Sequence, residues 1–191
     1  EDAGGAVVLA TPFLGAAPLP GGGWRVEAGG AEPTSLTAKR LVIAAGLAAQ
    51  ACAARVESFP ADRIPTLHYG KGVYFSLAGK PPFGRLIYPL PIPGGLGVHY
   101  KTDRSGRALF GPDLDWVKEP TYDVPADKRA AFAAAARKIW PRLREEDLPP
   151  DSAGVRPTLP ARGEPQPDFR IDRPQELQQR RQPELPEGQG P

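Results

Sequence analysis

"YPLPIPGGLGVHYKTDRSGRALFGPD" occupies residues 88–113, and its reading decides the architecture of the chain. Two short apolar and aromatic runs, 96–100 and 107–111, flank "TDRSG", where Asp103 and Gly106 suit a tight reversal. The spacing predicts a β-hairpin with His99 on its first arm. Pro89, Pro91 and Pro93 lack backbone donors, which puts the preceding segment at a strand end or sheet edge. Two further runs, "GVYFSL" (72–77) and "RLIYPL" (85–90), extend the pattern into an antiparallel sheet.

Toward the N-terminus, "AVVLA" (6–10), "GWRVEA" (23–28) and "RLVIAAG" (40–46) are expected strands. The last is an apolar, β-branched run of the kind buried on both faces. It ends at Gly46, and the alanine-rich 47–56 reads as a helix. A strand and small turn before a helix can present backbone amides to an anion. No G-x-G-x-x-G is present, so no complete dinucleotide fingerprint exists, and a close turn of small residues is the commoner explanation.

Beyond the hairpin, Pro125 is expected in the first turn of a helix capped by Asp123. Phe132, Ala136, Ile139 and Leu143 recur near the helical period as one buried stripe, and Pro141 ends it. A polar loop then leads to "VRPTL". Residues 173–191 are proline, glutamine and charge with two leucines, too little apolar surface to offset ordering, so a disordered tail is expected.

The totals set bounds on function. A chain of 191 residues with 24% charged and 40% apolar residues can bury a core of one domain or two small ones. A formal charge of +2 without a recognition motif argues against a nucleic-acid partner. Cys52 is the only cysteine and there are two histidines, so neither a disulfide framework nor a metal site is expected. No stretch has the roughly 20 apolar residues of a membrane span, and the start lacks a signal peptide's basic end. These points favour a soluble cytoplasmic protein, with peripheral membrane association left open. The chain contains no methionine, so Glu1 is not expected to be the native start.

Four residues carry potential chemistry. Arg156, in "AGVRPTL", needs solvent or an anion, and its planar fork suits a carboxylate. A salt bridge to Asp113, Asp115 or Asp168 serves equally well. His99 is suited to accepting a hydroxyl proton, although a strand histidine is more often a packing residue. Lys71 and Tyr74, in "GKGVYF", offer hydrogen bonds to a ligand, against the simpler alternative of a lysine facing water.

Taken in order, "LHYGKGVYFSL", "RLIYPLPIPGGLGVHYKTDRSGRALFGPDLDWV" and "AGVRPTL…PDFRID" resemble the L-2-hydroxyglutarate dehydrogenase-like branch of the FAD-dependent oxidoreductases, within the D-amino-acid oxidase and glycine oxidase group. "LVIAAGLAAQ" is similar to the flavin-domain strand and turn of that group. The resemblance covers about residues 6–172. It implies an α/β (α+β) fold: a partial FAD-binding, Rossmann-like domain (1–56), an antiparallel-sheet substrate domain (57–148), a return to the FAD domain (149–172) and the tail (173–191). It implies FAD as cofactor and a 2-hydroxy acid as substrate, oxidised at C2 by hydride transfer to flavin. By matched motif, Ala45, Gly46 and Gly154 would lie against the cofactor. His99 would be the base, Arg156 the carboxylate clamp, and Tyr74 and Lys71 further substrate-side residues. The family's glycine-rich pyrophosphate loop and its closing C-terminal segment have no counterpart in this sequence, and Ser152 stands where an aromatic residue is frequent. A glycine-oxidase-like amine oxidase and a non-catalytic binding module are the alternatives; the electron acceptor is not legible.

Overall fold

A computed structural model describes residues 3–90, 97–165 and 168. The class is mixed α/β, with antiparallel sheets and few helices. Two compact units divide the chain, one holding residues 1–66 and 166–191 and the other Leu67–Pro165.

The first unit contains a three-stranded meander: β1 (Phe13–Pro18), β2 (Trp24–Ala28) and β3 (Thr34–Ala38), in sheet order. A 3₁₀ turn, Gly46–Ala48, and the short helix α1 (Ala49–Ala53) follow. The segment after α1 runs beside β1, where the Ala16 N–H donates to the Arg55 carbonyl and Glu57 N–H to the Ala16 carbonyl (3.2 and 2.7 Å).

Three expectations change here. Residues 6–10 and 40–46 form no strand, and Val7, Val8, Leu9 and Val42 are 71–82% exposed. A β-branched run becomes a strand only when another strand satisfies its backbone groups, and among the described residues none pairs with these. The helix expected over 47–56 shortens to α1 and its leading turn, because no buried residue anchors either piece. The meander's β1 and β3 were not foreseen; FLGAAP and TSLTA lack a strong apolar alternation.

The second unit is organised around β4 (His68–Ser76). Its partners are β6 (Ala108–Gly111), β7 (Asp115–Val117) and β8 (Pro150–Thr158), all antiparallel, while β5 (His99–Thr102) extends the sheet beyond β6. β8 lines β4 from His68 to Phe75. A strand has two edges, so β6 and β7 share the other, β6 against Phe75–Ser76 and β7 against Tyr69–Lys71. Where β6 gives way to β7, the Val73 N–H is satisfied by the Asp113 carboxylate at 2.9 Å.

One face of this sheet packs under the 3₁₀ turn Ala126–Lys128 and helix α2 (Arg129–Ala136). Val73, Phe75, Tyr100 and Phe110 are fully buried there with Phe132, Ala133, Ala136, Leu143 and Leu148. The Phe75 and Phe132 rings stand 4.7 Å apart, and the Tyr100 hydroxyl donates to the Phe83 carbonyl at 2.8 Å. The four expected stripe residues do pack in or against this core, but α2 ends at Ala136, five residues before Pro141, so Ile139 and Leu143 reach it from the turns that follow the helix. The helix begins after Pro125, not at it, and has no side-chain cap. Asp123 lies two residues before the cap position, Pro125, and instead accepts from the Lys71 ammonium. Residues 85–90 contribute one bridge, Ile87 to Tyr100, and no strand, as prolines 89 and 91 cannot extend a ladder.

The hairpin β5–β6 forms as expected. Asp103 Oδ1 accepts from Ser105 N, Ser105 Oγ and Arg107 N (2.9, 2.7 and 2.9 Å), while Oδ2 accepts from Arg107 Nε at 2.8 Å. The Ser105 hydroxyl, followed by the Arg107 donors, lowers the Asp103 carboxyl to about 2 from the usual 3.8. A depressed carboxylate stabilises the folded state above its unfolded value and loses that contribution as pH falls through its folded value. Acid titration should therefore loosen the hairpin between about pH 4 and 2. Hydrogen exchange at the Ser105 and Arg107 amides, compared with Asp103→Asn, measures it; an identical acid profile in the variant contradicts the assignment. The expected tail, 173–191, lies outside the described residues.

Candidate active site on the open face of the second sheet

Side chains alternate across a strand, and directly opposed residues share a face. Tyr74 therefore shares its face with Ser152 on β8, and Gly70 with Arg156 on β8 and Trp116 on β7. His99 opposes Gly111 on the strand pair β5–β6, on the side away from Tyr100, and Lys101 follows two residues later on that side. Gly111 abuts Tyr74 so tightly that an added Cβ would come within 2.6 Å of its ring and 2.5 Å of the Val73 carbonyl oxygen. Its φ of +149° adds a second reason for glycine. With no side chain between them, His99 and Tyr74 flank a bare stretch of backbone.

The open face thus has two rows. His99, Gly111, Tyr74 and Ser152 form one; Trp116, Gly70 and Arg156 form the other. Four residues of β4 separate them, about 13 Å at the strand rise. Gly154 lies between the rows on β8, and an added Cβ there would meet nothing within 4 Å. Arg156 is exposed and, among the described residues, has no ion pair. Of the three carboxylates named as its alternative partners, Asp113, Asp115 and Asp168, the first two are taken by the Lys128 ammonium. Burial works against the charge on Lys128, but its two carboxylate partners outweigh that and raise its pKa. His99 is half-buried, its ring 4.3 Å from that of Tyr88.

Lys71 is not brought to this face. Its odd position in β4 aligns it with Val73 and Phe75, and it is 4% exposed. The ammonium donates to Asp123 Oδ1 at 2.7 Å and Thr121 Oγ1 at 3.1 Å. Asp123 stays largely hydrated, and the lysine hydrogen bond lowers its pKa. This pairing accounts for a lysine that composition alone would leave in water. Ala45 and Gly46 belong to the first unit, where both are exposed at the turn leading into α1.

Sequence reasoning missed three residues of the open face. Lys101 places its ammonium 3.8 Å from the Tyr74 ring centroid. His68 lies at the Arg156 end, its ring edge-on to Trp116 at 6.5 Å between centroids. For Lys101 and Trp116 the signal was period two: each falls an even number of residues from a face-marking position, once the strand and its register are known.

The first unit has a separate concavity of about 420 Å³ lined by Trp24, Leu41, Ile43, Val56 and Phe59 among others. It includes Arg63 but no side chain able to take a proton at neutral pH. Among the described residues no cluster of His, Cys, Asp or Glu could hold a metal ion. Nor, among them, is any helix long and apolar enough to cross a membrane.

Comparison with known proteins gives this arrangement a context. The chain is 37% identical over 143 residues to the mitochondrial L-2-hydroxyglutarate dehydrogenase of Arabidopsis thaliana, covering 69% of this chain and 30% of that protein. Among solved structures, the L-alpha-glycerophosphate oxidase of Mycoplasma pneumoniae with FAD bound superposes with a TM-score of 0.62 at 20% identity. The match covers 78% of this chain and 38% of that one. Glycine oxidase from Geobacillus kaustophilus gives 0.56 at 18% identity, over 78% and 36%. These two likenesses show the fold; the chain spans about a third of the length of each relative. The family described as FAD dependent oxidoreductase matches residues 1–184, nearly the whole sequence. With a sheet whose glycine-lined open face carries a histidine and an arginine, and with that match over residues 1–184, the chain belongs to the FAD dependent oxidoreductase (DAO) family.

Proposed function

We propose that this chain forms part of an FAD-dependent dehydrogenase that oxidises a 2-hydroxy acid, L-2-hydroxyglutarate to 2-oxoglutarate. The observation that carries the reading is the shared open face of His99, Tyr74 and Arg156, with the Arg156 guanidinium unengaged by any carboxylate among the described residues. The 37% identity to L-2-hydroxyglutarate dehydrogenase supports the choice of substrate. In this reading the five-stranded sheet is the substrate-binding part, and residues 1–56 belong to the FAD-binding part.

Ala45 and Gly46 in the first unit, and separately Gly154 in the second, carry no more than a methyl group, and a Cβ on either glycine would meet nothing within 4 Å, so each leaves room for a flat ring. When bound, FAD supplies the two-electron acceptor that amino-acid side chains lack. Oxidation at C2 removes the hydroxyl proton and the C2 hydrogen with its electron pair, leaving a carbonyl. His99 takes the hydroxyl proton on an imidazole nitrogen, which makes the C2 hydrogen easier to lose. Arg156 grips the carboxylate through paired N–H donors and fixes the direction of the C2–H bond. Tyr74 walls the space between them.

The test begins with FAD added to the protein and the colour retained after desalting. Bleaching of the visible flavin band by L-2-hydroxyglutarate is the expected result. Bleaching by glycine or another amino acid instead would transfer the reading to amine oxidation. A protein that retains no FAD would favour a binding module. In the FAD-loaded protein, Arg156→Ala should raise KM by about 10- to 100-fold, the loss of a charge-assisted pair, with a smaller change in kcat. An unchanged KM would make Arg156 structural.

A further inference from the structure

At the Arg156 end of the open face stands a histidine that the reading above does not use. The His68 imidazole is half-buried with its ring edge-on to Trp116, and among the described residues neither ring nitrogen has a hydrogen-bond partner. β8 sets Thr158 directly opposite His68 and Arg156 directly opposite Gly70. His68 and Arg156 are therefore diagonal neighbours on one face, about 7–8 Å apart, close enough for an imidazole and a guanidinium to meet one small ion from two sides. The ground between them is apolar. A Cβ added at Gly70 would come within 2.9 Å of Leu114 Cδ1 and 3.9 Å of Thr158 Cγ2, so two methyl groups cover the bare backbone. The Thr158 hydroxyl donates elsewhere, to the Pro160 carbonyl at 3.1 Å. The strand residues of this face include no aspartate or glutamate to fill the gap.

We propose that His68 is a second ligand of the substrate carboxylate, donating an imidazole N–H to it alongside the Arg156 guanidinium. This rests on the proposed role of Arg156 as the carboxylate clamp. A carboxylate has roughly four lone-pair sites, of which a bidentate arginine occupies two and the imidazole a third. The methyl groups of Leu114 and Thr158 keep water from one side of the bound anion, which strengthens both contacts. The edge of Trp116 restrains the His68 ring before the ligand arrives, so less side-chain freedom is lost on binding. Held from two directions, the carboxylate is fixed in tilt as well as in position.

L-2-hydroxybutyrate carries a single carboxylate and does not react without flavin. Its titration into the 191-residue chain, followed by amide and imidazole resonances, tests the pair. The Gly70 amide and the His68 ring should shift together on one binding curve. His68→Ala should weaken binding about tenfold, the worth of one hydrogen bond to a charged group. His68→Gln, which keeps an N–H donor, should recover most of that loss. The dispersed amide spectrum of each variant checks that it folds. Full affinity in His68→Ala overturns the proposal, and so does absent binding in the unaltered chain. A His68→Gln variant no better than His68→Ala also overturns it, since the donor would then be irrelevant. Flavin reduction by L-2-hydroxyglutarate in FAD-loaded protein reports on the reaction separately. Its failure with the His68-dependent affinity intact would end the oxidation reading and leave the carboxylate site standing.

Discussion

In FAD-loaded protein, His99→Ala should lower kcat by about 10²- to 10⁴-fold, the range supplied by a positioned general base. The expectation follows from what the open face contains. Tyr74, Ser152, Arg156 and Lys101 share it, and none is a natural proton acceptor near neutral pH. The other histidine, His68, lies at the Arg156 end of the face, six residues along β4 from Tyr74 and about 20 Å at the strand rise, and His68→Ala tests it separately. KM should change little, because the carboxylate contacts remain. Stopped-flow reduction of the flavin reads the step directly. Reduction at the normal rate in His99→Ala would remove the residue from the chemistry and leave it a packing role that includes its tilted ring contact with Tyr88.

The second large effect lies on the opposite face of the same strand. Phe75→Ala should destabilise the second unit by about 3–5 kcal/mol, the usual cost of truncating a fully buried aromatic. Phe75 has no solvent exposure, its ring meets Phe132 at 4.7 Å, and it opposes Phe110 across the β4–β6 pair. The sheet cannot collapse into the space, because β4 is held along both edges. Urea unfolding followed at Trp116, which lies on β7 in this unit, measures the loss. A change under about 1 kcal/mol would mean that the helix repacks over the gap.

How much was legible in the residues differs between the units. In the second, the hairpin around Asp103 and the buried helix positions Phe132 and Ala136 were plain, because turn chemistry and helical period are local signals, while the early end of that helix at Ala136 was not. The pairing of β8 with β4 was not, since no local pattern announces a partner some eighty residues away. That pairing is what sets Arg156 on the face of Tyr74 and turns Lys71 away from it. In the first unit the apolar run from Arg40 to Gly46 was read as a strand from propensity alone. Propensity expresses fit to neighbouring strands, and among the described residues it has none. The family resemblance supplied roles that no spacing could, yet the cation over Tyr74 came only from geometry.

The shared use of β4 also limits how this protein can change over generations. Alternate residues of one strand serve the core and the open face, so a single inserted or deleted codon within it would exchange the two sets. Phe75 would meet water and Tyr74 the helix. Lineages can lengthen the loops and retune the ligand, but on this strand they can only substitute, one residue at a time and each on its own side.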